Sequence, residues 1–102
     1  MKSALIIVDV QNDYFEKGAN PLVRSMETLT NVIRLRDHFR TKGDPVILIR
    51  HIATSPAATF FKPDTIGSEI HADLCPQCGE QIVIKHFPNS FRATELHQIL
   101  QE

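Results

Sequence analysis

The apolar positions of this chain fall into three short blocks and two longer periodic stretches. Ala4-Leu5-Ile6-Ile7-Val8 is a run of five apolar residues that stops at Asp9, and Gln11-Asn12-Asp13 follows as a polar turn. A short apolar run bounded by turn residues reads as a strand buried on both faces, and it is assigned to Ala4 through Val10. Leu22, Met26, Leu29, Val32, Ile33 and Phe39 then recur with a helical period. Asn20-Pro21 supplies an N-cap and a proline for the first helical position, and Gly43 the residue that ends the helix. Asp44-Pro45 turns the chain into a second run, Val46-Ile47-Leu48-Ile49, which ends at Arg50-His51. Strand, helix and strand joined by a crossover of this length form a parallel, right-handed unit.

From Ile52 to Gly79 the pattern weakens. The stretch holds Pro56, Pro63, Pro76, Gly67 and Gly79, with one short helix expected around Ser68 to Leu74. Irregular segments this long in a compact domain are usually functional loops or lids. A third strand is expected over Gln81 to Lys85. Asn89-Ser90 then caps a last helix from Phe91 to about Gln101, with Phe91, Leu96, Ile99 and Leu100 as its apolar side. The fold class is therefore α/β, with parallel strands in the order strand, helix, strand, loop, strand, helix.

Composition narrows the function without choosing it. At 102 residues the chain is one domain at most. Eleven basic against twelve acidic residues leave a net charge of −1, so nothing points to nucleic acid or an anionic membrane surface as a partner. Arg34, Arg36, Arg40 and Lys42 read as the solvated face of the first helix. No apolar run approaches the ~20 residues that cross a bilayer. Asp9 interrupts the N-terminal apolar run too early for a signal peptide, and two cysteines do not make a disulfide framework. A cytoplasmic location is the expectation.

Asp9 is the first candidate for chemistry, because the carboxyl ends of strands in open parallel sheets form the ligand crevice. The alternative is an acid that caps the following turn through backbone N–H groups. Lys85 ends another apolar run at the same end of the sheet. Beside Asp9 it would serve proton transfer or polarise a substrate oxygen; alone it is a lysine where strand meets loop. His51 ends the second strand and faces the same crevice, whereas His38 and His97 lie on helices as surface residues. Phe15, Phe60, Phe61 and Phe87 either line an apolar pocket or belong to the core. His71, Cys75, Cys78 and His86 contain an H-x3-C-x2-C pattern. It lacks the second ligand pair of strong zinc signatures, and no metal or other cofactor is expected.

Taken in order, Asp9-Val10-Gln11-Asn12-Asp13-Tyr14-Phe15, Arg50-His51, Phe60-Phe61-Lys62-Pro63, Gly67 to His71, Gly79 to Lys85 and Asn89-Ser90-Phe91 with Thr94 and Leu96 resemble the isochorismatase-like cysteine hydrolase superfamily. The resemblance covers essentially all 102 residues. It implies a three-layer, Rossmann-like fold with strand order 3-2-1, frequent homo-oligomers, and small amide, carbamoyl or related molecules as substrates. It also implies an Asp, Lys and Cys triad in which Asp9 and Lys85 are the first two members, with Gln11, Phe15 and His51 at the substrate. The nucleophilic cysteine of the family follows the next strand, and neither Cys75 nor Cys78 occupies that position. His51-Ile52-Ala53-Thr54 lacks the metal-binding pattern of the nicotinamidase branch.

Three expectations follow. The leading one is a hydrolase domain over residues 1–102, truncated before its nucleophile and so inactive in thiol chemistry. The second is an enol-ether hydrolase in which Asp9 alone protonates substrate. The third is a non-catalytic module that pairs through the open apolar edge of the first strand.

Overall fold

A computed structural model describes residues 2–77 and 79–101. Three parallel strands, β1 (Leu5–Val8), β2 (Val46–His51) and β3 (Gln81–Lys85), form one sheet in the order β1-β2-β3. The register pairs Leu5 with Val46, Val8 with Ile49, Ile47 with Gln81 and His51 with Lys85. The two helices are α1 (Ser25–Lys42) and α2 (Leu96–Gln101). Alternation along β2 divides the interior into two cores. Val46 and Leu48 face α1 with Ile7, Leu29 and Leu74, while Ile47 and Ile49 face α2 with Val83 and Leu96. The result is the expected three-layer α/β fold with a parallel sheet in the order 3-2-1.

Several local expectations change. β2 is buried along its whole apolar run, but β1 is not: Ile7 is buried and Val8 is 43% exposed. β1 also ends at Val8, because Asp9 turns into the left-handed region at φ 60°. α1 starts at Ser25, not at Asn20-Pro21. The N–H groups of Asn20 and Leu22 donate to the carbonyls of Asp13 and Tyr14 at 2.8 and 2.9 Å, which holds that segment against the loop after β1. Leu22 and Met26 are consequently exposed. The helix ends as expected at Gly43 (φ 78°), with Asp44 N–H bonded to Phe39 O and Gly43 N–H to Arg40 O. This paired arrangement satisfies the last free carbonyls.

The expected helix over Ser68 to Leu74 is two separate 3₁₀ turns, Ile66–Ser68 and Ala72–Leu74. The last helix begins five residues later than expected, at Leu96. Asn89 turns the chain by accepting the Phe91 N–H on its side chain at 2.9 Å, and Ala93 at φ 56° breaks the helical path. Phe91 is therefore exposed, and the helix start is marked by the Thr94 hydroxyl accepting the Leu96 N–H. The basic face of α1 is only partly solvated. Arg36 donates to Asp73 O at 2.7 Å, and Arg40 grips both carboxylate oxygens of Glu80 at 2.8 and 2.7 Å. Among the described residues no helix is long and apolar enough to cross a membrane.

Candidate active site

The carboxyl ends of the three strands bring the sequence-predicted residues together. Asp9 follows β1 directly, and its N–H still donates to Ile49 O at 3.0 Å, so its backbone is fixed by β2. His51 and Lys85 end the other two strands as register partners. From β3 the Lys85 side chain reaches across the end of β2, and its ammonium stands 3.2 Å from Asp9 Oδ2. That side chain is 3% exposed, and its second partner is the Pro88 carbonyl at 3.0 Å. A buried cation of this kind is tolerated only when paired and hydrogen-bonded. The other carboxylate oxygen, Asp9 Oδ1, is the one buried side-chain N or O atom among the described residues that has no hydrogen-bond partner.

A cleft of about 180 Å³ opens on Asp9, between Val10, Tyr14, Phe15, Leu22 and Leu29. Lys85 and His51 flank it without lining it. Phe15 is buried against the His71 ring, 4.5 Å between centroids. Tyr14, which the sequence reading passed over, shares the cleft. Its ring lies 4.7 Å from Phe61 and 6.0 Å from Phe60. Burial first, and then the Asp9 charge, raise its phenol above the ordinary 10.0. The clue was adjacency alone, since Tyr14 stands next to Phe15 in a turn with no periodicity. His51 is half-buried, 5.8 Å from the Phe61 ring. Burial pushes its imidazole below 6.5; Asp9 opposes this, and Lys85 and His86 add to it.

Gln11 is fully buried and its amide is committed to the backbone. Its nitrogen donates to His51 O at 2.9 Å and Ser68 O at 2.6 Å, and its oxygen accepts the His51 N–H at 2.8 Å. Arg50 reinforces the same point, donating to Ser68 O and to the Ser68 hydroxyl at 2.7 and 2.9 Å. Gln11 thus ties the end of β2 to the long loop. Of the remaining aromatic candidates, Phe60 and Phe61 lie at this end of the sheet, whereas Phe87 sits under Arg92, 3.8 Å from its guanidinium carbon.

The described cysteine, Cys75, is exposed in the loop before β3, where its carbonyl accepts from Arg40. That is the opposite end of β3 from Lys85. Cys78, the second cysteine of the zinc pattern, lies outside the described residues. His71 accepts the Asp73 N–H on Nδ1, and among the described residues no three His, Cys, Asp or Glu side chains converge. A larger open groove of about 720 Å³ lies at the amino ends of the strands, between Ile6, Pro45, Ile47, Gln81 and Ile99. It contains none of the groups gathered around Asp9.

Residues 3–102 match the family model of the isochorismatase domain. The uncharacterized isochorismatase family protein YddQ of Bacillus subtilis is 42% identical over 102 residues, which is all of this chain and 57% of that protein. The secreted isochorismatase effector Isc1 of Verticillium dahliae is 33% identical over 98% of this chain and 52% of its own length. The chain thus spans about half the length of the curated relatives it matches. Among solved structures, a putative isochorismatase hydrolase from Oleispira antarctica superposes with a TM-score of 0.92 at 40% identity, covering 98% of this chain and 55% of that one. N-carbamoylsarcosine amidase from Thermoplasma acidophilum superposes with a TM-score of 0.90 at 25% identity, covering 99% and 61%. With a domain match over nearly every residue and these relatives beside it, the chain belongs to the isochorismatase family.

Proposed function

We propose that this chain carries the acid–base half of a hydrolase site for small amide or carbamoyl substrates. The observation that carries the reading is Asp9: one carboxylate oxygen is paired with the buried ammonium of Lys85 at 3.2 Å, and the other is buried without a partner. A buried acceptor left unpaired costs about 1–3 kcal/mol. An amide N–H that meets Oδ1 after a small rotation of the Asp9 carboxylate, whose side chain is 22% exposed, would recover that cost, so the site favours a donor-bearing ligand. Once such a ligand is bound, Asp9 Oδ1 is the atom that takes or returns a proton, and Lys85 is the fixed positive charge beside the developing negative charge. Tyr14 and Phe15 form the apolar wall, His51 stands at the rim as a neutral imidazole near pH 7, and Gln11 holds the loop that closes the site. N-carbamoylsarcosine amidase, similar in fold, supports the amide or carbamoyl class.

Thiol chemistry requires a nucleophile beside Asp9; Cys75, the cysteine among the described residues, stands at the far end of β3, and by the family resemblance neither it nor Cys78 occupies the nucleophile's position. The 102-residue chain assayed alone is therefore expected to bind amides without turning them over. The test is a titration with benzamide followed by backbone amide NMR shifts, on the wild-type chain and on Asp9→Asn. The reading expects saturable shifts at residues 9–15 and 51 that weaken at least tenfold in D9N, the loss of one charge-assisted hydrogen bond of about 1.5–3 kcal/mol. Equal binding by both proteins, or shifts confined to the groove at the amino ends of the strands, would overturn it.

A second reading is pairing between copies through β1, favoured by the 43% exposure of Val8 on a strand whose one sheet partner among the described residues is β2.

A further inference from the structure

Three loops converge on one carboxylate that the proposed chemistry does not use. Asp13 is 6% exposed. Its Oδ1 accepts the Ala19 N–H at 3.0 Å and its Oδ2 the Phe61 N–H at 2.7 Å, so a buried anion is held by backbone amides from two segments 42 residues apart in sequence. The third segment is packed onto it: a Cβ on Gly67 would fall 2.1 Å from Asp13 Oδ1 and 2.6 Å from Oδ2. Gly18 leaves room in the same way, since a Cβ there would fall 2.5 Å from the Asp13 backbone. Two glycines are therefore required by the position of one acid rather than by their own dihedral angles.

The Phe61 end of this arrangement is strained. Phe61 has φ 55°, a conformation that bulky side chains rarely adopt. Strain of this kind persists only where the surroundings over-determine it. Here the N–H is taken by Asp13, the carbonyl accepts the Ala53 N–H at 2.8 Å, and the side chain is 2% exposed. In that conformation the Phe61 ring packs against Tyr14 at 4.7 Å, Phe60 at 4.9 Å and His51 at 5.8 Å. These contacts join the wall of the Asp9 cleft to the end of β2.

We propose that Asp13 is a positioning residue for the site: by accepting the Phe61 N–H, its carboxylate holds Phe61 in the left-handed conformation that sets Tyr14 and His51 around Asp9. The assignment rests on the reading of the Asp9 cleft as the functional site, but its readout is the geometry of Phe61 and not ligand binding. Failure of benzamide to bind would sink the first reading and leave this geometry standing.

The chain has one tyrosine and no tryptophan, so Tyr14 reports on the site without interference. The experiment compares wild-type, Asp13→Asn and Leu96→Ala chains by ring-to-ring NOEs from Phe61 to Tyr14 and His51, and by absorbance titration of the phenol. Leu96 is fully buried under the opposite face of the sheet, so L96A destabilises the fold without touching the loops. D13N is expected to keep the β-sheet amide shifts, lose the Phe61 NOEs and move the Tyr14 pKa down toward 10.0. L96A is expected to keep both signatures. Unchanged NOEs and an unchanged Tyr14 titration in D13N would overturn the assignment. If D13N does not fold, Gly67→Ala displaces the same carboxylate with no change of charge, and it must reproduce the same two losses. Failure of both variants to fold would also overturn it, because Asp13 would then belong to the fold as a whole and not to the wall of the site.

Discussion

Asp9 and Lys85 meet because each ends a strand, but the pair is completed by features of single residues. Asp9 leaves the sheet at φ 60°, which directs its carboxylate back over the end of β2 toward Lys85. A non-glycine residue held there costs on the order of 1 kcal/mol or more. His51 carries the pH dependence of this group. Its folded pKa lies below 6.5 because burial disfavours the imidazolium. As pH falls through 6.5 toward the folded value, the unfolded chain binds a proton that the folded chain refuses, so stability falls with pH across that window. Well above 6.5 both states are neutral at this position and the effect vanishes. Urea unfolding of wild type and His51→Asn at pH 7.5 and 5.5 checks this: the wild type is expected to lose more stability on acidification than the variant. Asp9 and Lys85 were legible in the sequence because each interrupts an apolar run. Tyr14 and Asp13 were not, because they sit in a polar turn whose function depends on Phe61 and Gly67, about 50 residues away. Nothing in the sequence announces that Phe61 or Ala93 adopts a left-handed backbone.

At the scale of elements, the strands were legible and the helix starts were not. β2 follows its apolar run closely, since a strand buried on both faces must be apolar on both, and β3 follows its run although Ile82 and Ile84 are exposed. The start of α1 depended on a competition that local signals do not record: Asn20 and Leu22 bond to Asp13 and Tyr14, and the helix begins one turn later at Ser25. Of the basic residues of α1, Arg34 and Lys42 are solvated as expected, but Arg36 and Arg40 are not, because their partners Asp73 and Glu80 lie in the loop before β3. The Arg40–Glu80 pair fixes that loop to the end of α1, with side chains 18% and 10% exposed. The Arg40 hydrogen bond is the main cause that lowers Glu80 below 4.5. Its stabilisation is therefore present above pH 4.5 and lost as pH falls through the lower folded value. Arg40→Ala is expected to cost about 1–3 kcal/mol at pH 7, since it leaves Glu80 Oε2 and the Cys75 carbonyl without a partner while Oε1 keeps only the Gln77 N–H. Thermal melts of the two proteins should converge as pH falls below 4.5 and through the lower folded value of Glu80; a constant difference at all pH values would rule out the ion pair as the source.

Among the described residues the sheet is covered on both faces at β2 and leaves apolar surface exposed on both edge strands, at Val8 of β1 and at Ile82 and Ile84 of β3. Its radius of gyration is 13.9 Å, against about 13 Å for a compact domain of 100 residues. Val8 at the edge, with Leu22 and Val23 nearby in the segment before α1, presents apolar surface that soluble sheets usually blunt with charge. If pairing through β1 occurs, sedimentation at increasing concentration will show a shift toward twice the 11.6 kDa chain mass, and Val8→Lys will abolish it. A wild-type chain that stays monomeric at all concentrations would remove the pairing reading and leave the site untouched. The fold and the family were legible from one sequence because the order of the strand-ending residues survives without any neighbouring chain. The shape of the cleft was not, because it is built by loops.

The measurement that bears most directly on the acid–base site is a crystal structure of the chain soaked with benzamide. The account predicts the amide nitrogen within about 2.7–3.2 Å of Asp9 Oδ1, with the ring against Tyr14 and Phe15 and Lys85 still paired to Oδ2. Benzamide seated in the groove at the amino ends of the strands, with Asp9 Oδ1 unengaged, would contradict it.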